Sequence, residues 1–229
     1  GTKRMIGVDV TMGDPNSFGA TVNYALPFLY PVWTLARERW QKLAVLGALA
    51  LAVTCVVLTG SRSAFAGLLL IATAATLASK HRKVLLVGLA VGLPLLWVNL
   101  RPDLQDRYMS TIDPSRGKGA AQGSAEGRTA SFWDGMQSFA ENPLFGAGIG
   151  SYRAKTGFAT HNVYNEAMGE MGLGGLAVLV GFAWAFLANF VDARRLRSDP
   201  DDPDEVFLYR VCVAAAGSCV LLFFLGWAG

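Results

Sequence analysis

The chain has 229 residues, of which 52% are hydrophobic and only 16% charged, against about 25% charged in an ordinary soluble domain. This balance, a positive mean hydropathy and long apolar runs exclude a soluble globular domain and indicate an integral membrane protein, so the count of spans matters more than length. The net charge of +3 is too small to argue for nucleic acid as a partner and reads first as topology.

Cys55, Cys212 and Cys219 all lie in apolar runs with no CxxC spacing, and read as small buried residues. With only His81 and His161 available, no His-rich metal site can be built, and neither a metal nor another cofactor is expected. The chain begins at Gly1 without a Met or a signal-peptide pattern. Residues 1–16 read as a polar loop, as if cut from something longer.

Six apolar segments follow in order: Phe18 to Ala36, Leu43 to Thr59, Ala64 to Ser79, Val84 to Leu100, Val163 to Val191 and Val206 to Ala228. The first holds Pro27 and Pro31, which membrane helices tolerate. The second to fourth are close to the lower limit of about 17 residues for a span. The expected fold is all-α, a polytopic membrane helix bundle with about six spans in one domain over residues 1–229.

Three short connectors each carry three basic residues: Arg37, Arg39 and Lys42; Lys80, Arg82 and Lys83; Arg194, Arg195 and Arg197. The positive-inside rule puts all three in the cytoplasm. The opposite side then receives residues 1–16, the Gly60-Ser61-Arg62-Ser63 turn, and a large outer loop over residues 101–160. Within that loop, residues 113–127 are small, polar and Gly-rich and read as mobile. Thr129 to Glu141 reads as a short helix, with Phe132, Met136 and Phe139 at helical spacing and Asn142-Pro143 ending it.

The polar residues expected on the outer side are Asp14, Asn16, Arg62, Arg128, Arg153 and His161. Arg62 is pinned at the membrane boundary, where an unpaired charge is costly. It reads either as a snorkelling arginine on lipid headgroups or as a fixed cation for a phosphate, which a planar guanidinium suits. The flanking serines are placed to add hydrogen bonds. Arg128 reads as a surface charge or a second cation. Arg153 follows Gly146-Ala147-Gly148-Ile149-Gly150, which lacks the preceding strand of a dinucleotide fingerprint and reads as a tight turn. His161 reads as an interfacial residue capping the fifth span or as a general base suited to neutral pH. Asn162, Glu166 and Glu170 share an i, i+4, i+8 face, and carboxylates within an apolar span should be paired or wet. Asp14-Pro15-Asn16 has the pattern of a helix start, with Asn16 or Ser17 as the cap.

Four stretches recur together in this order: Asp14-Pro15-Asn16; Gly60-Ser61-Arg62-Ser63-Ala64; Gly127-Arg128 through Trp133 into Asn142-Pro143-Leu144-Phe145-Gly146-Ala147-Gly148; and His161-Asn162 through Glu170-Met171-Gly172. In this set the chain resembles the O-antigen ligase and O-antigen polymerase superfamily of bacterial envelope glycosyltransferases. The resemblance implies transfer of a glycan from an undecaprenyl-diphosphate carrier to a glycan, lipid A core or protein acceptor, at the outer face of the inner membrane and without a metal. On matching positions it implies His161, Arg62 and Arg128 as catalytic residues. Arg62 and Arg128 would bind the diphosphate, and Arg153, Asp14, Asn16, Asn162 and Glu166 would line the substrate site. Members carry more spans than the six legible here, so the chain is expected to be an incomplete C-terminal part. The alternatives are a multi-pass transporter or channel, which Glu166 and Glu170 within a span would suit, and a membrane protease pairing Cys55 with His161.

Overall fold

A computed structural model of the chain describes residues 4–6, 14–113, 120–157, 162–195 and 202–228. Every regular element among them is a helix, as the composition requires. In chain order they are α1 (Pro15–Ala25), a 3-10 turn (Leu26–Phe28), α2 (Leu29–Leu35), α3 (Arg39–Thr59), α4 (Arg62–Ala78), α5 (Arg82–Asn99), α6 (Pro102–Met109) and α7 (Ala120–Glu141). Then come α8 (Ser151–Thr156), the single turn α9 (Val163–Asn165), a π turn (Glu166–Glu170), α10 (Gly172–Ala193) and α11 (Pro203–Ala228).

Four of these are long and apolar enough to cross a membrane: α3, α5, α10 and α11. The fifth apolar helix, α4, has 17 residues, about 25 Å at 1.5 Å per residue, slightly short of a hydrocarbon core of about 30 Å. The outward faces of the long helices are apolar: Leu43, Leu51, Val84, Val98, Val178 and Trp184 are all exposed, and α5 buries no residue at all. Such surface is stable against lipid and not against water.

The first expected span is an interrupted helix. Pro27 brings no N–H and its ring disfavours the preceding turn, so the chain passes through the 3-10 turn before α2 resumes the helix. The fifth span starts later than its apolar pattern suggests. The π turn and a break at Met171, with Gly172 at φ +63°, put both Glu166 and Glu170 ahead of α10. The outer-loop helix is longer than expected, because residues 120–127 are helical where a mobile stretch was expected. Their alanines, Gln122 and Glu126 are good helix formers, and Thr129, the expected start, lies inside the helix. The rest of the expected mobile stretch, residues 114–119, lies outside the described residues.

The chain divides into two compact units, residues 1–23 with 50–122, and residues 24–49 with 123–229. In the first, Val57, Leu100, Leu104 and Tyr108 form a buried cluster, with Val53 and Phe65 against it. The sequence reading missed α6, which supplies half of that cluster. Its start is marked by Pro102 at the first helical position and Asp103 in the first turn, a standard N-terminal signal. Leu104 and Tyr108, four residues apart, then lie on one face. The Tyr108 ring packs on Phe65 with centroids 5.0 Å apart.

In the second unit α11 packs on α10, on the 3-10 turn and on α2. The Ser218 hydroxyl donates to the Tyr24 carbonyl at 2.7 Å. Near its end, Trp227 meets Phe132 at 4.9 Å and Tyr164 at 6.0 Å between centroids. The Tyr164 hydroxyl donates to the Phe223 carbonyl at 3.0 Å.

Candidate functional site

In the first unit the polar groups gather on the turn from Thr59 to Ser63. Gly60 adopts φ +60°, and a Cβ there would sit 2.7 Å from Leu104 Cδ2, so only glycine fits this turn under α6. The Thr59 hydroxyl donates to the Val56 carbonyl at 2.6 Å and accepts the Ser61 N–H at 3.1 Å. Ser61 Oγ caps α4 by accepting the Ala64 N–H at 3.3 Å, and it lies 3.1 Å from Ser63 Oγ. Ser61 is fully buried and Ser63 nearly so, so these serines hold the turn itself, where hydrogen bonds to a ligand were expected. Arg62 is the first residue of α4 and is half-buried.

Asp14 and Asn16 stand in the same unit. The cap of α1 is Asp14, not Asn16 or Ser17: its Oδ2 accepts the Asn16 N–H at 3.0 Å and the Ser17 N–H at 2.9 Å, with Pro15 at the first helical position. A carboxylate there also meets the positive end of the helix dipole. Asn16 turns its side-chain oxygen to Arg4, whose Nη2 donates to it at 3.1 Å. α1 lies close on α4: Gly19 leaves no room for a Cβ beside Ala64, and the buried Asn23 donates to the Ala64 carbonyl at 2.7 Å.

Two arginines that the sequence reading passed over complete this region. Arg4 Nε donates to the Thr59 carbonyl at 2.6 Å. Arg107 Nε donates to the Gly60 carbonyl at 2.7 Å. Burial and the facing Arg107 charge, against weaker support from Asp14 and Tyr108, push Arg4 down to about 10. Arg107 is also lowered, by burial and then by the charge of Arg62. Burial pushes the Tyr108 phenol up to about 12, and its hydroxyl donates to the Val57 carbonyl at 2.8 Å. The signal for Arg107 was its place on the buried face of a Pro-started helix; Arg4, in an irregular segment, offered none.

In the second unit the site residues surround the π turn. Asn162 is the N-cap of α9, with φ −139°, and its Oδ1 accepts the N–H groups of Tyr164 at 3.0 Å and Asn165 at 3.2 Å. Asn165 is buried and its Nδ2 donates to both the carbonyl and the hydroxyl of Ser131 in α7. Gly135 and Gly169 leave room for that amide. The expected common face of Asn162, Glu166 and Glu170 does not form. A π turn carries more residues per turn than an α-helix, so Glu166 ends exposed while Glu170 is buried.

Glu170 accounts for the glycine-rich loop. Its Oε2 accepts the Gly150 N–H at 2.7 Å and its Oε1 the Tyr152 N–H at 3.2 Å, at the start of α8. The loop also ties to the π-turn backbone, Ala147 N–H to the Gly169 carbonyl at 2.9 Å and Gly148 N–H to the Glu170 carbonyl at 3.0 Å. Gly146 and Gly172 pass backbone against backbone where a Cβ would collide. Glu170→Ala is expected to lower thermal stability in detergent by about 1.5–3 kcal/mol for each charged hydrogen bond lost and to open residues 146–157 to protease. Glu170→Gln, which keeps an acceptor, should lose less. Melting curves and limited proteolysis of both variants check this.

Arg153 is exposed on α8. Arg128 is placed by its backbone in α7, and His161 lies outside the described residues. The structure thus joins Asp14, Asn16 and Arg62 within the first unit, and it sets Arg128, Arg153, Asn162 and Glu166 in the second. Among the described residues no three His, Cys, Asp or Glu side chains converge to hold a metal.

An all-helical chain with four span-length apolar helices, and with buried polar turns at the helix ends, is a multi-span membrane protein. A family model described as O-antigen ligase matches residues 47–180, more than half of the 229 residues. The chain belongs to the O-antigen ligase family, within the wider ligase and polymerase superfamily, and is a membrane protein of glycosyltransferase type. No curated protein and no solved structure matches it at a significant level. The matched range holds Arg62, Arg107, Arg128, Arg153, His161, Asn162, Glu166 and Glu170, while Arg4, Asp14 and Asn16 precede it.

Proposed function

We propose that the chain transfers a glycan from an undecaprenyl-diphosphate carrier to an acceptor hydroxyl at the outer face of the bacterial inner membrane. The carrying observation is membership of the O-antigen ligase family over the range that includes Arg62, Arg128 and His161. The three basic connectors support the sidedness through the positive-inside rule.

In the proposed reaction the acceptor oxygen attacks the anomeric carbon and the bond from that carbon to the diphosphate oxygen breaks. The electron pair leaves with the undecaprenyl diphosphate. The hydroxyl proton passes to His161 as general base. Arg62 and Arg128 neutralise the charge that grows on the leaving group, the requirement for electrostatic catalysis at a departing anion. A single displacement inverts the anomeric carbon. Asp14, Asn16, Arg153, Asn162 and Glu166 complete the substrate site in this reading. A glycan, the lipid A core or a protein hydroxyl serves as acceptor.

Reconstituted into proteoliposomes with a lipid-diphosphate glycan, the protein is expected to move the glycan to one of these three acceptors and release undecaprenyl diphosphate. No transfer to any of them, together with solute flux in the absence of donor, would replace this reading with a transporter.

A further inference from the structure

Among the described residues the turn between α3 and α4 gathers three arginines, Arg4, Arg62 and Arg107. Arg4 and Arg107 come from opposite ends of the first unit's sequence. Each anchors its Nε on the turn, on the consecutive carbonyls of Thr59 and Gly60. That tether fixes the plane of each guanidinium. Among the described residues Arg107 then has both terminal amino groups, and Arg4 one of its two, without a hydrogen-bond partner. Neither is ion-paired among those residues. Arg62 starts the next helix, and its charge acts on Arg107.

The described carboxylate whose charge reaches both Arg4 and Arg107 is Asp14, and its Oδ2 is occupied in capping α1. Half-buried guanidinium groups that repel one another destabilise the empty protein, and an anion between them relieves that repulsion. Terminal amino groups held in a fixed plane match the oxygens of a phosphate by paired hydrogen bonds. The turn lies at the end of the span-length helix α3, so the phosphate would be one carried at a membrane surface.

We propose that Arg4 and Arg107, seated on the Thr59 and Gly60 carbonyls, form with Arg62 a phosphate-binding site that holds the diphosphate of the lipid-linked donor. The choice of donor rests on the transferase reading above; the phosphate site itself does not. Tyr108 and the Gly60 turn position Arg107, and α1 through Asn16 positions Arg4.

The test uses the whole chain in nanodiscs of neutral lipid. Arg4→Gln and Arg107→Gln are each expected to weaken undecaprenyl diphosphate binding by about tenfold to a hundredfold, the range for a lost charge-assisted hydrogen bond. Arg107→Lys should recover part of the loss. Inorganic pyrophosphate should compete with the donor lipid, and phosphatidylglycerol at equal mole fraction should compete far less. Equal competition by phosphatidylglycerol would make the site a phospholipid headgroup site and overturn the donor assignment. Because Arg107 also braces the turn, the unmodified protein supplies a second reading. Phenylglyoxal labelling of Arg4 and Arg107, mapped by peptide mass spectrometry, should be blocked by undecaprenyl diphosphate. Labelling that the lipid leaves unchanged would overturn the site. Transfer measured in parallel separates the two ideas. Arginine-dependent binding with no transfer refutes the transferase and keeps the site, whereas transfer that survives both arginine substitutions refutes the site and keeps the transferase.

Discussion

His161→Ala is expected to lower kcat for glycan transfer by about 10²- to 10⁴-fold, the usual contribution of a positioned general base. KM for the lipid-linked donor should stay near its original value, because a base that acts on the acceptor proton contributes only in the transition state. The motive lies in the neighbouring residues. His161 directly precedes Asn162, whose side chain caps α9, and Asn165 pins that turn to α7 through Ser131. A general base must be held in place to work, and the cap at Asn162 is the fixed point next to His161 in the sequence. Single-turnover transfer at saturating donor measures the effect, and a variant that transfers at the original rate sinks the assignment of the base.

Arg62→Ala should be the next most damaging change, with a loss of about 10²- to 10³-fold in kcat/KM, the range for removing one donor to a developing anion. Arg62→Lys should recover little, because an ammonium is a single point charge and cannot offer the paired donors of a guanidinium. The serines on either side are engaged with the turn and with each other, so neither of them replaces the lost hydrogen bonds. The α4 cap is Ser61, which the substitution leaves in place. Donor kinetics together with melting curves separate a loss of catalysis from a loss of stability, and a variant as active as the parent would remove Arg62 from the leaving-group site.

The class of the fold was legible because it rests on bulk properties. Long apolar runs must become helices in lipid, since no other open structure satisfies every backbone group there. What the apolar pattern hid were the places where a helix is interrupted by local geometry. Pro27 breaks the first segment, and the Met171 break with Gly172 at positive φ cuts off the start of the fifth. Hydropathy reads straight through both. At the candidate site, Arg62 stood out because it lies in a four-residue turn between apolar runs. Arg4 and Arg107 did not, because their relation to that turn is made by carbonyls distant in sequence, at separations of 55 and 47 residues. Glu170 was visible as an unexpected carboxylate. Its partners, the backbone N–H groups of a glycine-rich loop, could not be named from side-chain identities.

The π turn at Glu166–Glu170 makes this region sensitive to chain length as well as to residue identity. A π turn is an α turn with one residue inserted. Shortening it by one would restore an unbroken α pattern and rotate everything upstream by about 100° around the axis of α10. Asn165 would leave Ser131, and the cap at Asn162 would swing with it. Substitutions at these five positions change individual contacts, such as those of Glu170 with the glycine-rich loop, whereas a single-codon deletion shifts the register of the whole turn. Among natural variants of this chain, length should therefore be held constant here even where the residues change.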